Sequence, residues 1–334
     1  MDKRHLFSRA LLFVAMVLLL GVAQARANVF SDFNEKEQQL YQNAIHFMDN
    51  GMVDTGIDLL KGLDKAHPSN RAVVYEIVYG YIVKQDYEEA YQWAKKLLKL
   101  KDADADSYFI AGNAFDHVGK RKEAIEIYEK GLKKFPNSAR LWVEKGNKAY
   151  MMKNYDESVG CYEHAIDIDP NFDVSYYRLA NLYAMSTDPV WAVMYAQNYQ
   201  LHASKYERLM EMGKLIYDLY RENVTRKDGK WEVTFTKKVN LSAYASLDCD
   251  LPYNGFFYYT HKVVLDEGGF AGDTLTLADV ARLHRKYVEI ADTTAHDYYN
   301  VPVLDMERAA LHEGHLEGYI MWMLRGADVG FGNK

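Results

Sequence analysis

The sequence predicts a mainly α chain, with a solenoid of helical hairpins followed by a small α+β C-terminal domain. Three observations carry this. Residue classes recur every 34 positions from residue 37 to residue 206. A polar break with a glycine, Arg226-Lys-Asp-Gly-Lys230, ends that pattern. Beyond it the apolar residues alternate or cluster with aromatics, as strands do.

The first residues are expected to be a leader. Lys3, Arg4 and Arg9 form a basic start, Ala10 to Val22 is apolar, and Ala25-Arg26-Ala27 is a small-x-small cleavage site. The apolar run has 13 residues, short of the ~20 that span a bilayer. Residues 1–27 therefore read as a secretory signal peptide, and residues 28–36 as a lead-in. The expected location is exported, periplasmic or secreted, with no membrane span after cleavage.

Composition narrows the partners. The 334 residues carry a net charge of −7 with no basic block. That argues against nucleic acid, whose phosphates demand clustered Lys and Arg. Only Cys161 and Cys249 are present. Two cysteines do not make a disulfide framework, and Cys161 falls on a predicted helix face, where a small buried hydrophobe fits.

The period is read residue by residue. Trp142, Gly146, Ser158, Tyr162 and Pro170 have counterparts 34 positions earlier in Tyr108, Gly112, Ala124, Tyr128 and Pro136. Further steps reach Val74, Val78, Ala90 and Ala94, then Leu40, Ala44, Gly56 and Leu60, and forward Tyr176, Ala180, Ala192 and Ala196. Five copies start at Glu37, Arg71, Ala105, Ala139 and Asp173. Within a copy the fourth, eighth and eleventh residues share a helix face. In the third copy these are Tyr108, Gly112 and Phe115, followed by a turn at Val118-Gly119-Lys120 and a second helix presenting Ala124, Tyr128 and Gly131. Small Gly112 and Ala124 let the helices approach, while aromatics fill the space beside them. Pro136 ends the hairpin and Asn137-Ser138 offers the next cap. Residues 207–226 continue the helical period and are expected to cap the stack.

These copies resemble the tetratricopeptide repeat. The resemblance rests on Trp142-x-x-Lys145-Gly146, Tyr155-Asp-Glu-Ser158 and Asp169-Pro170, and on Ala111-Gly-Asn113, Lys122-Glu-Ala-Ile125 and Phe135-Pro136. It covers residues 37–206. Asp102 and Ser204 depart from it where Pro is usual, and Gly56 where Ala is. The resemblance implies a concave groove, lined by the first helix of each hairpin, that holds a partner polypeptide. The fifth positions are Tyr41, Tyr75, Phe109, Val143 and Tyr177. The ninth are Ile45, Tyr79, Asn113, Asn147 and Asn181. The expected groove residues are Tyr41, Tyr75, Tyr79, Phe109, Asn113, Asn147, Tyr177 and Asn181. Asn amides both donate to and accept from a peptide backbone, and aromatics are frequent interface anchors. Some members of the family clamp a C-terminal carboxylate with Lys or Arg at the fifth and ninth positions, which carry none here.

Residues 227–334 are expected to form the α+β domain. Trp231–Val239 and Phe256–Leu265 read as strands, Thr276-Leu-Ala-Asp279 as a capping box opening a helix to about Asp292, and Asp305 as the cap of a helix from Met306 to about Leu324. On that last helix His312 and His315 would share a face near Glu307 and Glu313. This supports an alternative reading as a hydrolase or metal-dependent enzyme. The spacing departs from the His-Glu-x-x-His pattern, because Leu316 stands where the second His belongs. Asp266–Asp273 reads as a turn, since no Lys-Ser/Thr follows its glycines, with a carboxylate-rich calcium site as its alternative. No cofactor motif stands out. The function expected is a non-catalytic protein–protein interaction scaffold of the cell envelope.

Overall fold

Five helical hairpins follow one another along the chain. They are α1 (Glu35–Asp49) with α2 (Val53–Ala66), α3 (Arg71–Val83) with α4 (Tyr87–Leu97), α5 (Ala105–His117) with α6 (Arg121–Lys134), α7 (Ala139–Met151) with α8 (Tyr155–Ile168), and α9 (Asp173–Ala184) with α10 (Val190–His202). The computed structural model describes residues 32–236, 252–294 and 302–327. The expected signal peptide, residues 237–239 of the first expected strand and Cys249 lie outside these residues.

Local chemistry sets the helix starts. Asn34 accepts from the backbone N–H groups of Lys36 and Glu37, and Glu37 reaches back to the Asn34 N–H. Asp104 and Ser107 form the same reciprocal cap before α5, and Asn70 caps α3 through the Val73 N–H. Each such cap satisfies donors that the first helical turn leaves open.

Two compact units divide the chain, residues up to Lys145 and residues from Gly146 on. The core of the first is a run of small and branched side chains, among them Ala44, Leu60, Val74, Ile77, Ala90, Ala94, Leu97, Ala111 and Leu141. Close approach inside its third hairpin depends on Gly112, where a Cβ would stand 2.1 Å from the Tyr128 ring.

In the second unit the same device recurs at Gly146, where a Cβ would meet the Tyr162 ring at 2.5 Å. Cys161 is buried there. After α10 come α11 (Tyr206–Asn223) and an antiparallel hairpin of β1 (Val224–Lys227) and β2 (Lys230–Val233). Asp228 (φ 48°) and Gly229 (φ 77°) make its two-residue turn, the left-handed pair that matches strand twist. Four helices follow: α12 (Tyr253–Asp266), α13 (Leu277–Thr294), α14 (Pro302–His312) and α15 (Leu316–Met323). One core joins Val193, Ala196 and Tyr199 of the fifth hairpin, Ile216 and Tyr220 of α11, Phe235, Phe257 of α12, Tyr287 of α13 and Met323 of α15.

Two expectations are corrected here. Phe256–Leu265 is helix, not strand. The larger buried side chains of α12 are Tyr253, Phe256, Phe257, Thr260, His261, Val264 and Leu265, spaced three and four apart as on one helical face. Aromatic and β-branched composition suggested a strand; periodicity and burial decided for a helix. The last expected helix, Met306–Leu324, is two helices. The chain breaks at Glu313-Gly314-His315, where Gly314 takes φ 76°, and Asp305 sits inside the first turn of α14 instead of capping it. The Thr276–Asp279 capping box is present, with both backbone bonds formed.

Candidate partner-binding groove

In the first unit, the first helices of the hairpins carry a connected polar and aromatic row. The Tyr41 hydroxyl is hydrogen-bonded to Glu76. Burial raises the Glu76 carboxyl to about 7, helped by the Asp49 charge and opposed by the Tyr41 bond. Tyr75 is pushed up to about 12, by burial first and the Asp106 carboxylate second, while the Arg140 guanidinium opposes both. Arg140 also sits 4.8 Å over the Phe109 ring and 3.4 Å from Asp106 Oδ1. One guanidinium thus holds a Tyr of the second copy and an Asp and Phe of the third. Tyr79 remains 43 % exposed. The structure therefore brings Tyr75 and Phe109 together, and Tyr41 is tied to the adjoining Glu76.

The amide row is used differently from the expectation. Tyr128 donates to Asn113 Oδ1 at 2.6 Å, and Tyr162 donates to Asn147 Oδ1 at 2.9 Å. Each Asn carbonyl is spent on the second helix of its own hairpin, fifteen residues on. Asn181 donates to the Tyr177 carbonyl at 2.8 Å. Tyr177 itself donates to Glu211 of α11 at 2.9 Å and lies under the Arg208 guanidinium. So Asn113 and Asn147 fasten their hairpins, Tyr177 joins the end of the array to α11, and Asn181 bonds back within α9.

Arg140 and Glu76 were not among the expected groove residues. The signal for Arg140 was the period itself, since it stands 34 residues after Asp106, at the second position of its copy.

The C-terminal candidates do not converge. His312 is exposed and faces Asp292 Oδ1 at 2.9 Å, and His315 stands before α15, past the break at Gly314. Glu307 is 1 % exposed. Its partners are Gln197 Nε2 and His284 Nε2, each 2.7 Å away. Among the described residues no group of three or more His, Cys, Asp and Glu could hold a metal ion. Of the Asp266–Asp273 segment, Asp266 ends α12 and the rest is a loop whose Gly269 carbonyl accepts from Arg282 at 2.5 Å.

Glu307 belongs instead to a buried chain of hydrogen bonds. His261 Nδ1 lies 2.7 Å from the Phe257 carbonyl, which only accepts, so Nδ1 carries the proton. Burial holds the His261 pKa down at about 3, so the ring is neutral and its Nε2 accepts from the Tyr220 hydroxyl at 3.1 Å. The Tyr220 oxygen then accepts from His284 Nδ1 at 2.9 Å. The remaining contact is His284 Nε2 to Glu307 Oε1 at 2.7 Å. Five side chains from α10, α11, α12, α13 and α14 are joined this way. Sequence reasoning reached only Glu307, because nothing local marks Gln197, Tyr220, His261 and His284 as neighbours.

Comparison with known proteins gives the same picture for the repeats. The tetratricopeptide repeat matches at residues 105–137, 139–172 and 161–204. N-alpha-acetyltransferase 16, NatA auxiliary subunit, of Mus musculus is 27% identical over 104 residues, which is 30% of this chain and 12% of that protein. The chain thus spans a small part of that relative's length. Similar solved structures include TTC0263, a thermophilic TPR protein of Thermus thermophilus, with a TM-score of 0.48 and 15% identity over 54% of this chain and 98% of that one. PilW, a type IV pilus biogenesis factor, has a TM-score of 0.46 and 16% identity over 55% and 86%. A MamA structure has 0.40 and 22% over 49% and 96%. Three tetratricopeptide-repeat matches fall on the third to fifth hairpins, so residues 105–204 of this chain are tetratricopeptide repeats.

Proposed function

We infer that this protein-interaction scaffold holds a partner polypeptide against the first helices of its first unit, and that it does so in the cell envelope after export. The observation that carries the groove reading is the row of Tyr41, Glu76, Tyr75, Arg140 and Phe109 with exposed Tyr79 beside it. Aromatic and Arg side chains are the groups that most often anchor a partner. The row also alternates acceptor and donor, which suits a polar main chain. The leader-like start of the sequence supports the envelope location. The hydrolase alternative loses its geometry, because Glu307 is enclosed with His284 while His312 faces solvent beside Asp292.

The test is capture from the native envelope by the full chain tagged at its C-terminus, beside a Tyr79→Ala, Phe109→Ala variant. Substituting Asn147 would be a poor probe, because it removes the oxygen that accepts from the Tyr162 hydroxyl inside the hairpin. The variant should keep its helical content and lose at least tenfold in capture of the main partner. Equal capture by both chains would remove the groove. Fractionation of the cells checks the location; recovery with the cytosol would overturn export.

A further inference from the structure

Apart from the groove, the first unit carries a second surface. The twenty-ninth residue of each of the first three copies is a lysine: Lys65, Lys99 and Lys133. They stand at the C-terminal ends of α2, α4 and α6. The surrounding stretches, residues 61–67, 95–101 and 129–135, hold nine lysines against two acids, Asp64 and Glu129, in a chain whose net charge is −7. The matching stretch of the fourth copy, residues 163–169, is reversed, with Glu163, Asp167 and Asp169 and no lysine. The three ends rest on one core, through Leu63, Leu97 and the partly buried Leu98 and Leu132. Lys96 of α4 also donates to Asp64 of α2 at 2.7 Å. Packing therefore gathers lysines that the sequence spreads over three copies.

The helix dipole does not account for the excess. A helix C-terminus favours cations, yet α8, under the same dipole, has no basic residue in its last turn, while α2, α4 and α6 all do. Nor are the row lysines there to pair within the chain. Elsewhere lysines are met by carboxylates, as in Lys84–Asp54, Lys120–Glu123 and Lys286–Glu289. Lys65, Lys99, Lys101 and Lys133 are exposed and have no carboxylate partner among the described residues. An acidic chain has acids to spare, and these four cations are left open to an outside anion.

We propose that this row rests on an anionic phospholipid surface. Lysine is a compact, hydrated charge on a flexible stem and lacks the planar fork that fixes one carboxylate in place. One such charge per copy, repeated along the unit, suits a layer of headgroups that offers phosphates in any register, and clustered lysines are drawn to such layers. The contact is peripheral, since no helix among the described residues is long and apolar enough to cross a membrane. It uses the ends of second helices, so it does not depend on what the groove holds.

The probe is a vesicle of phosphatidylglycerol and phosphatidylcholine at one to two, sedimented with the full chain, beside vesicles of phosphatidylcholine alone. Saturable binding to the anionic vesicles alone is expected, and high salt should abolish it. A Lys65→Glu, Lys99→Glu, Lys133→Glu variant should bind at least tenfold more weakly. A Lys153→Glu, Lys205→Glu, Lys230→Glu variant, with the same change in net charge on other surfaces, should bind as the parent does. Lys65→Gln, Lys99→Gln, Lys133→Gln should fall between, and thermal melts of all three variants check that a loss is not unfolding. Equal binding to both kinds of vesicle, no binding to either, or equal loss in both Glu variants overturns the proposal. Binding of poly-L-glutamate without binding of vesicles makes the row a dock for an acidic polypeptide and overturns the lipid assignment.

Discussion

Tyr128 and Tyr162 each do two things at once. The ring fills the space a glycine leaves open, at Gly112 and at Gly146, and the hydroxyl takes the carbonyl of the neighbouring Asn. Ring and hydroxyl are separable by substitution. Tyr128→Phe and Tyr162→Phe should each cost about 1 kcal/mol, the net worth of one hydrogen bond, read as a lower denaturation midpoint in urea. Gly112→Ala should cost more than either, because its methyl group would need the Tyr128 ring to move. At the buried chain the stakes are higher. His284→Ala leaves the Glu307 carboxyl and the Tyr220 hydroxyl without their shared partner, and breaking such a pair costs about 3–5 kcal/mol. A loss under about 1 kcal/mol in the same urea experiment, no more than one ordinary hydrogen bond, would mean that the pair is not closed in solution.

Helices carried by a repeated pattern were the most legible in the sequence. α3, α5, α7 and α9 begin at Arg71, Ala105, Ala139 and Asp173, because each copy restates the same apolar spacing. The helices without a counterpart elsewhere in the chain were less legible. α12 combines strand-like residue types with helix-like spacing, and the spacing proved the better guide. Between α14 and α15 the signal was a single residue, Gly314, within an otherwise helical pattern. Its left-handed backbone is open to glycine at little cost, so Gly314→Ala should destabilise the chain by about 1 kcal/mol, with Gly314→Asn milder. A thermal shift by Ala no larger than by Asn would argue against a fixed break there. Of the connected row on the first helices, Tyr75 and Phe109 were legible as aromatics at the fifth position of their copies. Arg140 was not, because its role depends on packing against two other copies.

Across the whole molecule the two units should respond to pH in opposite directions. Glu76 in the first unit is raised from its ordinary 4.5 to about 7. The folded state therefore holds a proton the unfolded chain gives up, and its stability falls as pH rises from 4.5 through 7. His261 in the second unit is lowered from 6.5 to about 3. There the unfolded chain takes up the proton first, and stability falls as pH drops from 6.5 towards 3. Each slope is at most about 1.4 kcal/mol per pH unit. Hydrogen exchange followed by peptide between pH 4.5 and 7 should show protection decreasing with pH in residues 35–134 and increasing in residues 190–323. Glu76→Gln should flatten the first trend alone. A common direction in both regions would contradict these assignments.

The fifth hairpin has a history written into its second helix. Eight of the thirteen residues of α10 are buried, including the polar Gln197, Asn198 and Gln200, and Gln200 Nε2 donates to the Met323 carbonyl of α15 at 2.8 Å. Arrays of this kind lengthen in evolution when a gene segment encoding one copy is duplicated beside itself, and the newcomer needs a neighbour with a free side. α10 has none to give. Duplication after the fifth copy would displace α15 and part the Gln197–Glu307 contact, so relatives of this chain with longer arrays should have gained their copies upstream of residue 173.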